Sequence, residues 1–490
     1  MFNWRWRSAG HAGRHLSALV AILCCFGLSS TAVSAQTAPN IVFVLTDDLD
    51  RGITTLQPSV MPYMTQLIAA AGVTFSRAYV NVPLCGPSRA TILTGRYAHN
   101  TRMIQNWYPY FTQVNGERST IAVWLANAGY RTALFGKYLN RYPESQTPTY
   151  VPPGWTDWAV PVSGNTNSSY VLNENGALIS YTNDGSTGYF TDVIAAKALA
   201  FIERAAGDGK PFFLLLSTTA PHAPSIPATR HAALFGDRTV PRTSSFNERD
   251  VRDKAPFLQL SLITDARIAV MDELYRNRLR SLQAVDEAVR DLYRKVEQMG
   301  LLSSTYFVFT SDNGYHMGQH RLTDTVNGGK ETDFEEDIRV PLMISGPGVR
   351  PGSVVNRLVS LADLAPTFAA WASAVPDITV DGRSLVPVLG TSAPASWRNW
   401  LPIIHWKPSG VTRSNPAQSF IGVRTARYTY ARYPEFALRD LYDTSVDSPQ
   451  RDNIAFKASA SLLSRLDSMT TSLAACAGDT CRTLENAAAP

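Results

Sequence analysis

Four short apolar runs constrain the fold of this chain more than any other feature of its sequence. Each run has the length and composition of a buried parallel strand, and helical patterns separate the runs. Strands that alternate with helices predict an α/β protein with a central, mostly parallel sheet flanked by helices. The four runs are residues 41–45, 132–135, 212–216 and 306–309.

Each run is followed by polar side chains of a kind that carries out chemistry. In such sheets ligands bind beyond the carboxyl ends of the strands, because crossover loops and helix N-termini converge there. We therefore expect these side chains to meet at one edge of the sheet. In the order of the runs they are Asp47 and Asp48, then Lys137, then His222, then Asp312 and Asn313.

The acidic members of this set predict a site for a hard divalent cation. An Asp-Asp pair alone is more often a helix cap or a turn, but here a second acidic strand end accompanies it. Calcium accepts roughly six to eight oxygen ligands in irregular geometry, and the set lacks the soft ligands that zinc prefers. The sequence therefore favours one calcium ion at this edge.

The two ends of the chain differ in character from its middle. The first 35 residues combine three arginines, an apolar stretch and a small-residue ending, which is the layout of a cleavable signal peptide. The strand pattern changes after residue 390 and predicts a small antiparallel subdomain closed by a helix. We divide the chain into a signal peptide (1–35), a catalytic domain (36–392) and a C-terminal α+β subdomain (393–490).

An exported protein is the interpretation that this division favours. The apolar stretch is shorter than the ~20 residues that span a bilayer, so we expect no stable membrane anchor. Removal of the three arginines lowers the formal net charge from +5 to +2, which gives no support for nucleic-acid binding. Periplasmic or secreted destinations are preferred, or a lysosomal one in a eukaryote.

The five cysteines leave one thiol without a partner. Cys24 and Cys25 lie in the signal peptide, and the spacing of Cys476 and Cys481 predicts a short disulfide. A metal-binding role for that pair is disfavoured, because two thiols without a nearby histidine cannot complete a tetrahedral site. Cys85 remains, and alone it would be interpreted as a buried, inert thiol.

Cys85 opens the segment CGPSRATILTG, residues 85–95. This segment matches the sulfatase signature, and the chain resembles the formylglycine-dependent sulfatases, whose fold is alkaline-phosphatase-like. The resemblance implies that a formylglycine-generating enzyme converts Cys85 to 3-oxoalanine during export. One hydroxyl of the hydrated aldehyde would attack the sulfur of a sulfate ester, and the other, once deprotonated, would expel sulfate.

Other residues near this motif fit the binding of a sulfate ester. The proline suits the first turn of a helix, so residue 85 should lie at a helix N-terminus that favours an anion, with Arg89 one turn along. Lys137 and Lys330 would hold sulfate oxygens as point charges, and His222 could protonate the leaving alcohol. Taken singly, each lysine would more often be a solvated residue.

Three further segments, residues 136–140, 312–319 and 337–341, look like the N-acetylglucosamine-6-sulfatase and heparan endosulfatase branch. That branch implies a 6-O-sulfated glucosamine or related sulfated carbohydrate as substrate. By the same resemblance, one set of residues ligates calcium and a second set surrounds the sulfate. The first set is Asp47, Asp48, Asp312, Asn313 and modified Cys85; the second is Arg89, Lys137, His222 and Lys330.

The chain also departs from the family pattern. Many sulfatases have a histidine two residues after the Lys137 equivalent, where this chain has Leu139. The base that deprotonates the diol is therefore unassigned, and His316 is a candidate that could also contact substrate. No long basic insert of the endosulfatase kind is present, which argues against an extended heparan-binding surface.

Several alternatives stay open at this point. An arylsulfatase, a choline-sulfatase-like enzyme, or a phosphonate monoester or phosphodiester hydrolase of the same superfamily would share the cysteine motif. A non-catalytic glycan-binding protein is disfavoured, because every polar position of the set holds a competent residue. The sequon Asn167-Ser168-Ser169 allows glycosylation.

Overall fold

The four apolar runs form neighbouring strands at the centre of a ten-stranded sheet. The computed structural model describes residues 38–52, 58–326, 328–391, 394–407 and 419–490, so the predicted signal peptide lies outside the described residues. The strands are β1 (Asn40–Thr46), β2 (Val73–Phe75), β3 (Ala78–Tyr79), β4 (Arg131–Gly136), β5 (Asp157–Gly164), β6 (Ser169–Glu174), β7 (Ala177–Thr182), β8 (Phe212–Ser217), β9 (Thr305–Ser311), β10 (Leu342–Ser345), β11 (Ser353–Val355), β12 (Val359–Ser360), β13 (Trp400–His405), β14 (Phe420–Thr425), β15 (Tyr428–Tyr433) and β16 (Leu438–Asp443).

Helices occupy the connections between these strands. They are α1 (Pro62–Met64), α2 (Cys85–Thr94), α3 (Ala98–Thr101), α4 (Pro109–Gln113), α5 (Ile121–Asn127), α6 (Phe190–Gly207), α7 (Asp265–Gln298), α8 (Glu335–Ile338), α9 (Leu364–Trp371), α10 (Val386–Leu389), α11 (Ala460–Leu473) and α12 (Asp479–Asn486). Among the described residues, no helix combines the length and the apolar character needed to cross a membrane.

The large sheet has the order β11-β2-β10-β9-β1-β8-β4-β5-β6-β7. Its centre, β9-β1-β8-β4, is parallel throughout. Antiparallel pairs appear toward the edges, where β10 joins β9 and where β5, β6 and β7 form a meander. The predicted α/β class with a mostly parallel centre is confirmed, and the carboxyl ends of the four strands lie at one edge.

Both faces of the central strands are covered, which explains why their sequences are continuously apolar. Side chains of β1 alternate between two cores. Ile41 and Phe43 pack with residues of α5 and α9, whereas Val42 and Val44 pack with residues of α6 and α7. The sheet is therefore a rigid platform between two helical layers.

A second, four-stranded antiparallel sheet, β13-β14-β15-β16, forms near the C-terminus. Helix α11 packs on it, and the predicted disulfide between Cys476 and Cys481 follows that helix. The predicted antiparallel C-terminal unit is thus present. The division of the chain at residue 392 stays a prediction.

Candidate active site

Cys85 begins helix α2, which starts immediately after the extended residue Leu84. Pro87 occupies the third helical position, where its missing N–H has no helical acceptor to lose, and Gly95 ends the helix in the left-handed conformation with φ of 67°. The Gly86 N–H donates to Asn106 Oδ1 at 2.7 Å. Cys85 is 1% exposed. Cys85 thus lies at a helix N-terminus, as predicted.

The four acidic and amide residues expected at the strand ends surround this cysteine. Potential ligand atoms of Asp47, Asp48, Cys85 and Asp312 all lie within 4.8 Å of one another. Cys85 Sγ lies 3.4 Å from Asp47 Oδ1 and 3.7 Å from Asp48 Oδ1, and Asn313 Nδ2 donates to Asp48 Oδ1 at 2.6 Å. All five residues are buried. The residues that follow two separate strands, β1 and β9, thus form one cluster.

This cluster fits a hard divalent cation. Asp48 Oδ2 and Asn313 Oδ1 are buried acceptor oxygens without a hydrogen-bond donor, although His222 Nε2 lies 3.5 Å from the former. Unsatisfied oxygens beside clustered carboxylates are the donor set that calcium or magnesium uses.

Three cationic side chains each pair with one carboxylate of the cluster. Lys137 Nζ lies 2.5 Å from Asp47 Oδ2, and Arg89 Nε lies 2.7 Å from Asp312 Oδ2. Lys330 Nζ lies 2.5 Å from Asp48 Oδ1 and 3.0 Å from Cys85 Sγ. All three predicted sulfate-binding cations therefore lie beside Cys85 or its carboxylate neighbours. Lys330 reaches the site from the long loop that follows β9.

These contacts set the ionisation of the site. Burial alone raises the pKa of Asp47, but Lys137, His222 and Arg89 outweigh it and lower that pKa to about 2. Burial lowers the pKa of Lys330, whereas Asp48 and its neighbours raise it well above the usual value. Burial raises the pKa of the Cys85 thiol despite nearby Lys137 and Lys330. An unmodified Cys85 is therefore a protonated thiol and a poor nucleophile.

His222 lies on the open side of the site. Its Nδ1–H donates to Ala223 O at 2.7 Å, which leaves Nε2 toward Asp48 Oδ2 at 3.5 Å. The His222 side chain is 42% exposed, whereas Lys330 and Arg89 are nearly buried. This is the geometry of a group that could exchange a proton with solvent and pass it to a departing alcohol.

His316 is held apart from this arrangement. Its Nδ1 lies 2.9 and 3.0 Å from the two carboxyl oxygens of Asp337. Burial lowers its pKa, but Asp337 raises it more. Within the described residues, its side chain makes no hydrogen bond or ion pair with the carboxylate cluster or Cys85. Its role as the base stays a prediction without a supporting contact, and Leu139 is buried in the apolar core.

Two residues that the sequence reasoning missed support the site. Arg278, fully buried on α7, donates to Asp48 O at 2.6 Å and to Pro221 O at 3.1 Å. Arg278 thereby links the loop that carries Asp48 to the loop that carries His222. Ser217 Oγ, at the end of β8, accepts from Arg89 at 2.8 Å and donates to Lys137 O at 2.6 Å.

Sequence signals for both residues existed. Arg278 interrupts the apolar face of a long amphipathic helix, between buried Tyr275 and Leu279, and an arginine there needs partners. Ser217 ends β8, which belongs to the same central group of parallel strands as β1 and β9, so it is also a polar residue at a strand end. Together, an α/β sheet, a buried cation cluster and an anion-favouring helix N-terminus define a site for an anionic ester.

Comparisons with known proteins agree with this class. The family model described as Sulfatase matches residues 39–374, and the model N-sulphoglucosamine sulphohydrolase, C-terminal, matches residues 319–475. The chain belongs to the sulfatase family.

Curated relatives include enzymes of the branch that the motifs resemble. The chain is 31% identical over 496 residues to the N-acetylglucosamine-6-sulfatase of Homo sapiens, covering 94% of this chain and 88% of that protein. It is 36% identical over 373 residues to the extracellular sulfatase SULF-1 homolog of Drosophila melanogaster, 74% of this chain but 32% of that protein. The chain thus spans about a third of the fly protein. An arylsulfatase of Volvox carteri is 32% identical over 525 residues, covering 95% of this chain and 79% of that protein.

Solved structures share the fold. A protein in complex with its substrate, D-glucosamine-2-N,6-O-disulfate, superposes with a TM-score of 0.73 at 25% identity, covering 89% of this chain and 97% of that chain. The phosphonate monoester hydrolase of Silicibacter pomeroyi gives a TM-score of 0.66 at 22% identity, covering 88% and 94% of the two chains. The second likeness concerns the fold alone.

Proposed function

We propose that the chain is an exported sulfatase that hydrolyses sulfate esters with a formylglycine nucleophile made from Cys85. The observation that carries the proposal is the placement of Cys85 at the N-terminus of α2, within 4.8 Å of three carboxylate ligand atoms. A formylglycine-generating enzyme would act during export. When formed, formylglycine supplies a gem-diol that attacks sulfur with one hydroxyl and releases sulfate through the other.

The carboxylate cluster would hold one divalent cation, calcium by preference. Its ligands would be Asp47, Asp48, Asp312, Asn313 and the modified residue 85. When bound, the cation offsets the repulsion between the carboxylates and polarises the sulfate oxygens.

The remaining residues would bind and orient the ester. Lys137, Lys330 and Arg89 supply positive charge around residue 85, and the positive end of the α2 helix dipole lies at the same residue. Burial of this end of the helix excludes water from the reacting atoms. His222 would give its Nε2 proton to the leaving oxygen on the exposed side. His316, whose buried Nε2 has no hydrogen-bond partner among the described residues, would be the candidate base for the diol and a candidate substrate contact.

The proposed substrate is a 6-O-sulfated N-acetylglucosamine or a related sulfated glycan. The human relative is named for that activity, and the solved relative contains a 6-O-sulfated glucosamine. Periplasmic or secreted export, or a lysosomal destination in a eukaryote, agrees with the word extracellular in the name of the fly relative. Aryl, choline and phosphonate esters are the competing substrates.

Peptide mass spectrometry across residue 85, together with a substrate screen, tests the proposal. We expect 3-oxoalanine in protein exported by the native host, and sulfate release from 6-O-sulfated N-acetylglucosamine. The Cys85→Ala variant should retain the fold and lose turnover. An intact thiol in fully active protein would refute the nucleophile, and a strong preference for a phosphate diester over a sulfate monoester would refute the reaction.

A further inference from the structure

The sequon at Asn167 has no part in the proposed chemistry, yet the fold places it beside the active site. Asn167 lies in the turn between β5 and β6. It lines a hollow whose other wall is the loop of residues 219–226, which carries His222. His222 therefore borders both the carboxylate cluster and this hollow, which we call the Asn167 hollow.

The wall contributed by the turn is held in place by hydrogen bonds. Asn183 Nδ2 donates to Thr166 O at 2.8 Å, and the Asn167 N–H donates to Asn165 Oδ1 at 2.9 Å. These contacts fix the backbone on either side of Asn167. They leave its side-chain amide without a hydrogen-bond partner in the part of the chain that the structure describes.

The wall combines polar and apolar groups. Thr166, Asn167 and Thr219 supply polar side chains and Phe190 supplies an apolar one. Among the described residues the lining contains no lysine, arginine, aspartate or glutamate, and His222 is the lining side chain that can carry a positive charge. The hydroxyls of Thr166 and Thr219, like the Asn167 amide, have no partner within those residues. Convergent unpaired polar groups in a concavity are the usual feature of a ligand site. The enclosed part measures about 10 Å³, room for one water-sized group.

We propose that the Asn167 hollow receives a hydroxyl or amide group of the alcohol part of the substrate, and that Asn167 is a specificity residue rather than a glycan acceptor. The inference rests on the proposed function, because the alcohol would leave past His222. Apart from His222, the lining side chains of the described residues carry no charge, which suits a neutral, hydroxyl-rich sugar. A second sulfate at this position could pair only with His222, which the leaving alcohol needs as its acid.

Kinetics of two variants on two substrates test this inference. The variants are Asn167→Ala and Thr219→Val, and the substrates are 6-O-sulfated N-acetylglucosamine and 4-nitrophenyl sulfate, whose ring carries no hydroxyl or amide. Loss of one hydrogen bond should lower kcat/KM on the sugar by about 5- to 10-fold, so the ratio of sugar to aryl turnover falls by a similar factor in each variant.

Ser169→Ala is the matched control, because it destroys the sequon, lies on the exposed start of β6 and keeps Asn167. It should leave both rates unchanged. Equal losses on both substrates, an unchanged sugar rate in both variants, or a glycan on Asn167 in fully active native protein would each overturn the inference. A wild-type protein that turns over the aryl ester but no sugar sulfate would overturn it while the sulfatase proposal stands. A protein inactive on every sulfate ester would remove the proposed function itself.

Discussion

Tyr433 lies between two buried carboxyl groups where the loop after Lys330 packs against the four-stranded sheet. Its hydroxyl oxygen is 3.0 Å from Asp333 Oδ1 and 3.2 Å from Asp440 Oδ2, and both aspartates are fully buried. A phenol carries one proton and can donate to one carboxyl group. The phenol proton can therefore satisfy only one of the two carboxylates, and a proton on the other carboxyl group would let that group donate to the phenol oxygen.

The same contact makes the folded state sensitive to pH. Burial raises the pKa of Asp333 to about 6, although Tyr433 and Lys254 act in the opposite direction. Burial and the charge of Asp333 also raise the pKa of Asp440. Because the folded protein binds the proton more tightly than the unfolded chain, this stabilisation is complete below pH ~4 and is lost as the pH rises through ~6.

The magnitude follows from the two pKa values of Asp333. A folded value of about 6 against an unfolded value of about 3.9 corresponds to about 3 kcal/mol. An unfolding entropy of about 2.1 cal/mol/K per residue gives about 0.95 kcal/mol/K for roughly 450 residues. The free-energy difference should therefore change the melting temperature by about 3 °C.

Asp333→Asn removes the titrating group and keeps an amide that can donate to the Tyr433 oxygen. We expect the melting temperature of the variant, relative to wild type, to rise by about 3 °C between pH 4 and pH 7. Scanning calorimetry at four pH values across this range measures it, with Asp452→Asn at an exposed position as control. A difference between variant and wild type that does not change with pH would refute the shared proton.

Three further predictions concern the active site. His222→Ala should lower the turnover of alkyl sulfates by about 10²- to 10⁴-fold. It should lower the turnover of 4-nitrophenyl sulfate by less than about tenfold, because that leaving group needs no acid. Equal losses on both substrates in steady-state assays would contradict the role of His222 as the acid. Calcium at about 100 times its Kd should stabilise the purified protein by about 2.7 kcal/mol, measured as a Tm shift that a chelator reverses and that Asp312→Asn abolishes. Arg278→Ala should destabilise the protein by about 1–3 kcal/mol and lower kcat, whereas Arg294→Ala, at an exposed position of the same helix, should do neither.

Local sequence was sufficient to predict the centre of the fold, because its signals are short-range. An apolar run that is buried on both faces needs no knowledge of its partners, and β1, β4, β8 and β9 were all predicted from composition. The residues that follow them were predicted to converge because parallel strands share a polar edge. The closeness of Asp47 to Asp312 agrees with that rule.

The strand-end rule does not predict residues that reach the site from other parts of the chain. Lys330 lies well beyond the end of β9, in a loop whose path depends on tertiary contacts, and the family resemblance rather than any strand pattern pointed to it. His316 looks like a site residue by its distance from β9. Asp337 engages its Nδ1, whereas its buried Nε2 has no partner among the described residues, so its role as the base stays a prediction. The meander of β5, β6 and β7, which carries the Asn167 hollow, has no continuous apolar run and was not predicted.

The charge balance of the site explains why cation and substrate should bind in concert. Asp47, Asp48 and Asp312 carry three negative charges, and Lys137, Lys330 and Arg89 offset them in three close pairs. The side chains therefore offer an incoming sulfate ester little surplus positive charge, since each cation is already engaged by a carboxylate. A divalent cation on the carboxylates would compete for those oxygens and release the lysines and the arginine toward the anion. The carboxylate cluster would then do more than hold a metal, because its occupancy would decide whether the three cations face the carboxylates or the sulfate.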